Sequence, residues 1–364
     1  MSESADLRVG IIGYGLAGSV FHAPLVASTP GLRVAAISVG DPTHAAQARR
    51  DFPQATIYPT AQALLAAADT LDLVVVAAPN NAHAPLGVAA LEAGLPVVID
   101  KPFAPNAAEA QQVIAAAQRA GKQLSVFQNR RWDNDFLTVR RLMQGRALGQ
   151  VARFESRFER FRPEPKAGAW RESDDPSLAG GLLFDLGAHL IDQALQLFGW
   201  PATVYAEQAQ RRPGARVDDD SFVALRFPGG EVAHLWMSAI PRASGPRFRV
   251  VGTVGVYEKH GLDPQEAQLV AGLRPGAEAY GRESRDLWGA LTTEIDGLTV
   301  EAAVESLPGS YQDFYAAMRD ALREGKPVPV DPNESLGVIR VIEAARQSAQ
   351  RGEIVRLSVE SAGG

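Results

Sequence analysis

The 364-residue sequence predicts an α/β protein in two parts. Residues 1–128 read as a doubly wound parallel sheet, and residues 129–364 as an α+β unit with a large open-faced mixed or antiparallel sheet. Three observations carry this. In the first third, short apolar runs alternate with Ala-rich helical stretches, the pattern of a parallel sheet covered on both faces. The first run, Leu7 to Ile12, drops directly into Gly13-Tyr14-Gly15-Leu16-Ala17-Gly18, a G-x-G-x-x-G turn where a strand hands over to a helix. From Gln150 the texture changes to period-two alternation, and the length exceeds what one hydrophobic core usually serves.

In chain order, strands are predicted at Leu7–Ile12, Arg33–Ser38, Leu71–Ala78, Pro96–Asp100 and Gln123–Gln128. Helices fall between them at Ala45–Arg50, Thr60–Ala68, His83–Ala93 and Asn106–Ala120, two of them stopping at Gly94 and Gly121. In the second part, strands are predicted at Gln150–Phe161, Ala202–Gln210, Ser221–Phe227, Val232–Ile240 and Phe248–Tyr257. A helix over Gly181–Phe198 interrupts them, and late helices start at Ser310 and at Asp331-Pro332-Asn333-Glu334, the latter with a cap residue and Pro at the first position. The last helix, 331–350, can pack back near the first domain. Residues 272–300 are too polar and Gly-rich to place. A sheet with helices on one face only leaves the other for a partner, commonly a second subunit.

Composition excludes several classes. Apolar residues make up 46% and charged residues 21%, which is ordinary for a globular protein. With 42 acidic and 36 basic residues and no basic block, nucleic acid is not an expected partner. No apolar run approaches a membrane span, and the first residues show no export signal. There is no cysteine, which removes disulfides and thiolate chemistry and suits a cytoplasmic location. Six scattered histidines without ligand spacing predict no metal site.

In a doubly wound sheet, ligands bind outside the carboxyl ends of the strands. Gly13 suits the tight turn, Gly15 the close approach of a pyrophosphate and Gly18 close packing, with unpaired N–H groups at the helix start facing the anion. The whole turn, Tyr14, Leu16 and Ala17 included, is thus the expected cofactor cradle. The next loops carry Pro79, Asn80 and His83, then Asp100-Lys101-Pro102, and Pro79, Asn80, His83, Asp100 and Lys101 are further expected cofactor contacts. Pro102 restricts Lys101 to extended geometry at a strand tip. There an ammonium can donate to a bound polyol and favour alkoxide development. At the second strand's end, the position of an acid that selects NAD is Ser38, with Asp41 able to reach a ribose and Arg49 or Arg50 able to fold back toward a 2′-phosphate. The cofactor is therefore written as NAD or NADP.

In the second part, Asp185, His189 and Asp192 recur at helical spacing beside an apolar stripe of Leu182, Leu186 and Leu190. A carboxylate four residues before an imidazole can fix its tautomer and relay its proton. Arg131, Trp132, Asp133, Arg162, Trp170 and Arg171 are further candidates for a polyol pocket; salt bridges or subunit contacts explain them equally well.

Taken in order, the glycine turn, Asn80 to His83, Asp100-Lys101-Pro102 and Asp185-x-x-x-His189 resemble the glucose–fructose oxidoreductase/inositol dehydrogenase/MocA family over nearly the whole chain. Phe21-His22-Ala23-Pro24, the run from Asn129 to Thr138, Phe161-Arg162-Pro163 and the Asp185–Gln193 string look like its scyllo-inositol dehydrogenase branch. The family's usual Glu-Lys-Pro stands here as Asp100-Lys101-Pro102, so only Lys101 is carried over. The resemblance implies that Lys101, Asp185 and His189 handle the substrate hydroxyl and that a nicotinamide cofactor is used. It also implies a homodimer or homotetramer formed through the C-terminal sheet. It leaves open whether Lys101 or His189 first accepts the proton. Alternatives are an NAD-dependent glycosidase of the same architecture or a non-catalytic nucleotide-binding subunit.

Overall fold

The computed structural model describes residues 5–358. Along the chain run β1 (Leu7–Ile12), α1 (Ala23–Ala27), β2 (Leu32–Ser38), α2 (Pro42–Asp51), β3 (Thr56–Tyr58), α3 (Ala61–Leu65), β4 (Leu73–Val76), α4 (Asn80–Glu92), β5 (Val97–Asp100), α5 (Ala107–Ala120) and β6 (Leu124–Phe127). Then follow α6 (Asn134–Gln144), β7 (Val151–Glu159), α7 (Ala188–Phe198), β8 (Thr203–Ala209), β9 (Asp220–Arg226), β10 (Val232–Ser238), β11 (Phe248–Gly252) and β12 (Gly255–Lys259). The chain ends with α8 (Gln265–Val270), β13 (Gly289–Ile295), β14 (Leu298–Val304), α9 (Gln312–Glu324), α10 (Pro332–Arg351) and β15 (Val355–Arg356).

Two compact units result. The first runs through Asn129 and takes in two later segments, Gln265–Tyr280 and Ser310–Leu336. The second holds Arg130–Pro264, Gly281–Gly309 and, among the described residues, 337–358. The first unit is thus not one stretch of sequence, and the reason lies in packing. Phe314 and Tyr315 of α9 stack on Phe127 of β6, with ring centroids 4.9 and 5.8 Å away, and the Ser125 hydroxyl donates to Val330 O.

The first unit is built on a six-stranded parallel sheet in the order β3-β2-β1-β4-β5-β6. The run Leu73-Val74-Val75-Val76 shows why: β4 is apolar and buried along its whole length, as a strand covered on both faces must be. The order reverses between β1 and β4, which is where such sheets open a crevice. Register aligns the strand ends. Ile12 pairs with Ser38 and Val76, Val76 with Ile99, and Asp100 with Phe127. The loops after β1, β2, β4 and β5 therefore leave one edge of the sheet.

The second unit carries a nine-stranded mixed sheet, β14-β13-β12-β11-β7-β10-β9-β8-β15, in which only β7 and β10 pair in parallel. One face is the core: Phe154, Phe158, Leu235 and Phe248 pack with Leu190 and Ile191 of α7 and Val341 and Ile342 of α10. The other face carries Arg157 stacked 4.0 Å over Trp236, with Glu155 paired to Arg153 and Arg157. The predicted strand Phe248–Tyr257 is in fact two, β11 and β12, turned at Thr253-Val254. The valines and aromatic residues on both sides read as one strand, although Gly252 and Gly255 flank the turn. The unplaced stretch contributes the β13–β14 hairpin, and β3 is an edge strand too short for a periodic signal.

Candidate functional site

The glycine turn of the first unit is shaped by backbone contact. Gly13 has φ +99°, and a Cβ there would collide with the Ala77 carbonyl oxygen. A Cβ on Gly18 would collide with the Gly13 carbonyl oxygen. Both positions need glycine to let the β1 turn close against β4 and the following helix. Gly15 is different: a Cβ there meets nothing within 4 Å, so the space beside it is open to a ligand. Leu16, next along, is 62% exposed. The helical run then opens with π geometry, Ala17–His22, before α1. This is the cradle a dinucleotide diphosphate requires, and the residues present fit it. Tyr14 is buried; its hydroxyl donates to Asp51 at 2.9 Å and its ring packs edge-on against Phe52. Burial and the Asp51 contact raise its pKa, so the phenol stays protonated.

At the end of β2, Ser38 is buried and its carbonyl accepts from Gly13 N at 2.9 Å. Asp41 caps α2, accepting from His44 N at 2.9 Å, and that bond holds its pKa below the ordinary carboxylate value. Arg49 and Arg50 lie exposed in the last turn of α2, at the far end of a ten-residue helix about 15 Å long. The adjoining Asp51 accepts the Tyr14 hydroxyl of the glycine turn at 2.9 Å.

After β4, Pro79 precedes α4, whose first turn holds buried Asn80 and His83. His83 places Nδ1 2.7 Å from Pro102 O and Nε2 2.8 Å from Ala78 O, so both ring nitrogens face backbone carbonyls. After β5, the Lys101–Pro102 peptide is cis, and Lys101 N donates to Asp100 Oδ1 at 2.9 Å. Behind Asp100 stands a pair that sequence reading left out. His22 Nε2 is 3.5 Å from Asp100 Oδ1, and His22 Nδ1 meets the Tyr315 hydroxyl at 2.5 Å. The string around Phe21-His22 was a signal for the histidine; nothing in the sequence links it to Tyr315, 293 positions away. Burial alone would raise the Asp100 carboxyl, but the hydrogen bond and charge of His22, with His83 and Lys101, hold its pKa below the ordinary value.

In the second unit, Asp185 lies in a π-helical segment, Leu183–Gly187, that runs directly into α7 with His189 and Asp192. The three are each more than nine-tenths buried, on successive turns of one continuous run. The π segment was not legible in the four-residue spacing, and such bulges recur at functional sites. Asp218 holds the start of the run: its carboxylate accepts from Leu183 N and from the Ser221 hydroxyl, both at 2.8 Å. Gly181, at φ +98°, leaves the room for that carboxylate, since a Cβ would collide with it. Arg171 is tied in by its carbonyl, which accepts from Gly181 N at 2.9 Å, and its Nε lies 3.9 Å from Asp185 Oδ2.

The remaining candidates divide. Arg131 makes a two-pronged ion pair with Asp192, at 2.8 and 2.7 Å, so its guanidinium braces α7. Asp133 is buried, with Arg130 3.4 Å away; burial pushes its pKa well up, against the Arg130 charge. Trp132 and Trp170 are half-buried, and Arg162 is exposed. Among the described residues no group of His, Asp and Glu could hold a metal ion.

Residues 7–128 match the family described as "Oxidoreductase family, NAD-binding Rossmann fold", and residues 140–357 match its "C-terminal alpha/beta domain". The uncharacterized oxidoreductase YdgJ of Escherichia coli is 42% identical over 95% of this chain and 97% of its own. The scyllo-inositol 2-dehydrogenase (NADP(+)) IolW of Bacillus subtilis is 35% identical, covering 96% of each chain. Among solved structures, a B. subtilis protein described as an oxidoreductase, yvaA, superposes with TM-score 0.93 at 35% identity over 98% of this chain and all of its own. With both halves matched in order, the chain belongs to the glucose–fructose oxidoreductase/inositol dehydrogenase/MocA oxidoreductase family.

Proposed function

We propose that this oxidoreductase is a dehydrogenase moving hydride between NAD or NADP and a secondary hydroxyl of a cyclic polyol or sugar, with scyllo-inositol or a related inositol first among them. The observation that carries this is the buried Asp185–His189–Asp192 run in a chain whose glycine turn leaves Gly15 open to a nucleotide. The IolW name and that of the D-xylose 1-dehydrogenase (NADP(+)) 2 of Haloferax volcanii, 30% identical over 96% of this chain, support the substrate class.

The cofactor's nicotinamide supplies the hydride acceptor or donor when bound. The residues of this chain then have distinct work. Gly13 to Gly18, with Ser38, Asp41, Pro79 and Asn80, hold the nucleotide. His189 takes the hydroxyl proton in oxidation and returns it in reduction. Asp185 orients the imidazole and stabilises its charged form, with the Arg171 guanidinium keeping the carboxylate in place. Lys101 donates to the reacting oxygen and stabilises negative charge developing there. Arg162, Trp132 and Trp170 offer donors and apolar ring faces to a hydroxyl-rich ligand. The charged and aromatic face around Arg157 and Trp236 is the surface through which we propose a homodimer or homotetramer forms, in the cytoplasm.

A panel of inositols, aldoses and their keto forms, each with NAD(H) and NADP(H), tests the reading by absorbance at the nicotinamide band. Stoichiometric change with a cyclic polyol or sugar is expected. Sugar release without net absorbance change, or no turnover across the panel, would contradict it.

A further inference from the structure

We propose that His83 is a positioning residue for Lys101, an inference that rests on the role given to Lys101 above. The ring is 1% exposed in the first turn of α4 and touches two loops. Nε2 reaches Ala78 O at 2.8 Å, in the loop after β4. Nδ1 reaches Pro102 O at 2.7 Å, one residue beyond Lys101 in the loop after β5. One buried side chain thus bridges the backbone of the two adjacent loops after β4 and β5, the second of which carries Lys101.

Carbonyl oxygens only accept, so each contact needs an N–H. A neutral imidazole has one N–H and one lone pair. Both bonds are made together only by the imidazolium. When a proton leaves, a lone pair faces a carbonyl oxygen at hydrogen-bond distance, and one loop has to move away. The number of protons on this ring therefore decides whether the two loops are tied to each other.

The surroundings set the balance. Burial draws the ring's pKa below the ordinary imidazole value, opposed by the Asp100 charge and the two carbonyls, while His22 adds to the lowering. Asp100, held ionised, is the counter-charge, and its Oδ1 also accepts the Lys101 N–H at 2.9 Å. The carboxylate that balances the ring is thus the one that grips the Lys101 backbone. The tie is complete only below the ring's lowered pKa and loosens as pH rises through it.

The experiment uses the full chain labelled with ¹⁵N-histidine and ¹⁵N-lysine, titrated from about pH 8 downward through and below the ordinary imidazole range, as far as the chain stays folded. Signals are assigned with His83→Gln and Lys101→Arg. The His83 nitrogens should both be protonated at the acid end, and the Lys101 amide should shift with the same midpoint. In His83→Gln the Lys101 amide should lose that midpoint. Single-turnover hydride transfer, with scyllo-inositol and NAD or NADP as probes, should fall about a hundredfold in His83→Ala, the scale of a small displacement of a reacting group. Nucleotide Kd should stay within about twofold, because ground-state binding is not what is lost. His83→Gln, which keeps a donor, should recover part of the rate. A ring that keeps one proton on the same nitrogen throughout, with an unmoved Lys101 amide, overturns the proposal. So does an unchanged rate in His83→Ala; if that variant does not fold, the titration and His83→Gln decide. Should Lys101→Ala transfer hydride normally, the proposed function falls on its own, while the titration still judges the link between His83 and Lys101.

Discussion

Arg131 grips Asp192 with two N–H···O bonds of 2.8 and 2.7 Å, and the two side chains are 6% and 3% exposed. Asp192 lies three residues beyond His189 on α7, so the fork fixes the rotation of the helix that carries the imidazole. Removing one partner strands a buried charge. Asp192→Ala should lower unfolding free energy by about 3–5 kcal/mol, measured by denaturant melts. Arg131→Lys keeps the charge but loses the planar fork, so it should also destabilise. A loss confined to substrate KM with unchanged stability would instead make Arg131 a substrate contact.

Gly15 and Gly18 should fail differently. A side chain at Gly15 meets open space, whereas one at Gly18 meets the Gly13 carbonyl. Gly15→Val should keep its melting temperature and weaken nucleotide binding by about tenfold or more, the cost of a blocked approach to the phosphates. Gly18→Ala should lose about 1–3 kcal/mol of stability through overpacking. Isothermal titration and thermal melts separate the two.

Asp133 makes stability depend on pH in an unusual sense. Burial raises its native pKa, so between the ordinary carboxylate value and that native value the unfolded chain holds fewer protons than the folded one. Stability from this group is present below the unfolded pKa and is lost as pH rises through the native one. Relative to Asp133→Asn, the unmodified protein should therefore lose about 1.4 kcal/mol per pH unit across that window. Denaturant melts of both proteins at stepped pH check the slope.

Ser38 ends β2 where an acid would meet the ribose 2′-hydroxyl. Ser38→Asp should shift the ratio of NAD to NADP use toward NAD by about tenfold to a hundredfold, the range for gaining or losing a charged hydrogen bond. Steady-state kcat/KM with both nucleotides measures the ratio. An unmoved ratio would place the discriminating contact elsewhere.

Much of the fold was legible because its signals are local. The apolar runs of β1, β4 and β5 and the glycine stops of α4 and α5 need only neighbouring residues to be read. The glycine turn was readable for the same reason. What stayed hidden depends on distant partners or on subtle backbone change. Tyr315 reaches His22 across most of the chain, and α9 joins the first unit through Phe127. The π geometry at Asp185 leaves the residue spacing untouched, so a four-residue interval could not reveal it. The capping role of Asp41 emerges only once α2 has defined ends.

The roles given to His189 and Lys101 are tested most directly by single-turnover hydride transfer, followed at the nicotinamide band with the best polyol of the panel. His189→Ala and Lys101→Ala should each slow that step by about 10²–10⁴-fold, the range for a lost acid–base or charge-stabilising group. Nucleotide affinity should remain near that of the unmodified protein. A normal hydride-transfer rate in either variant contradicts the account.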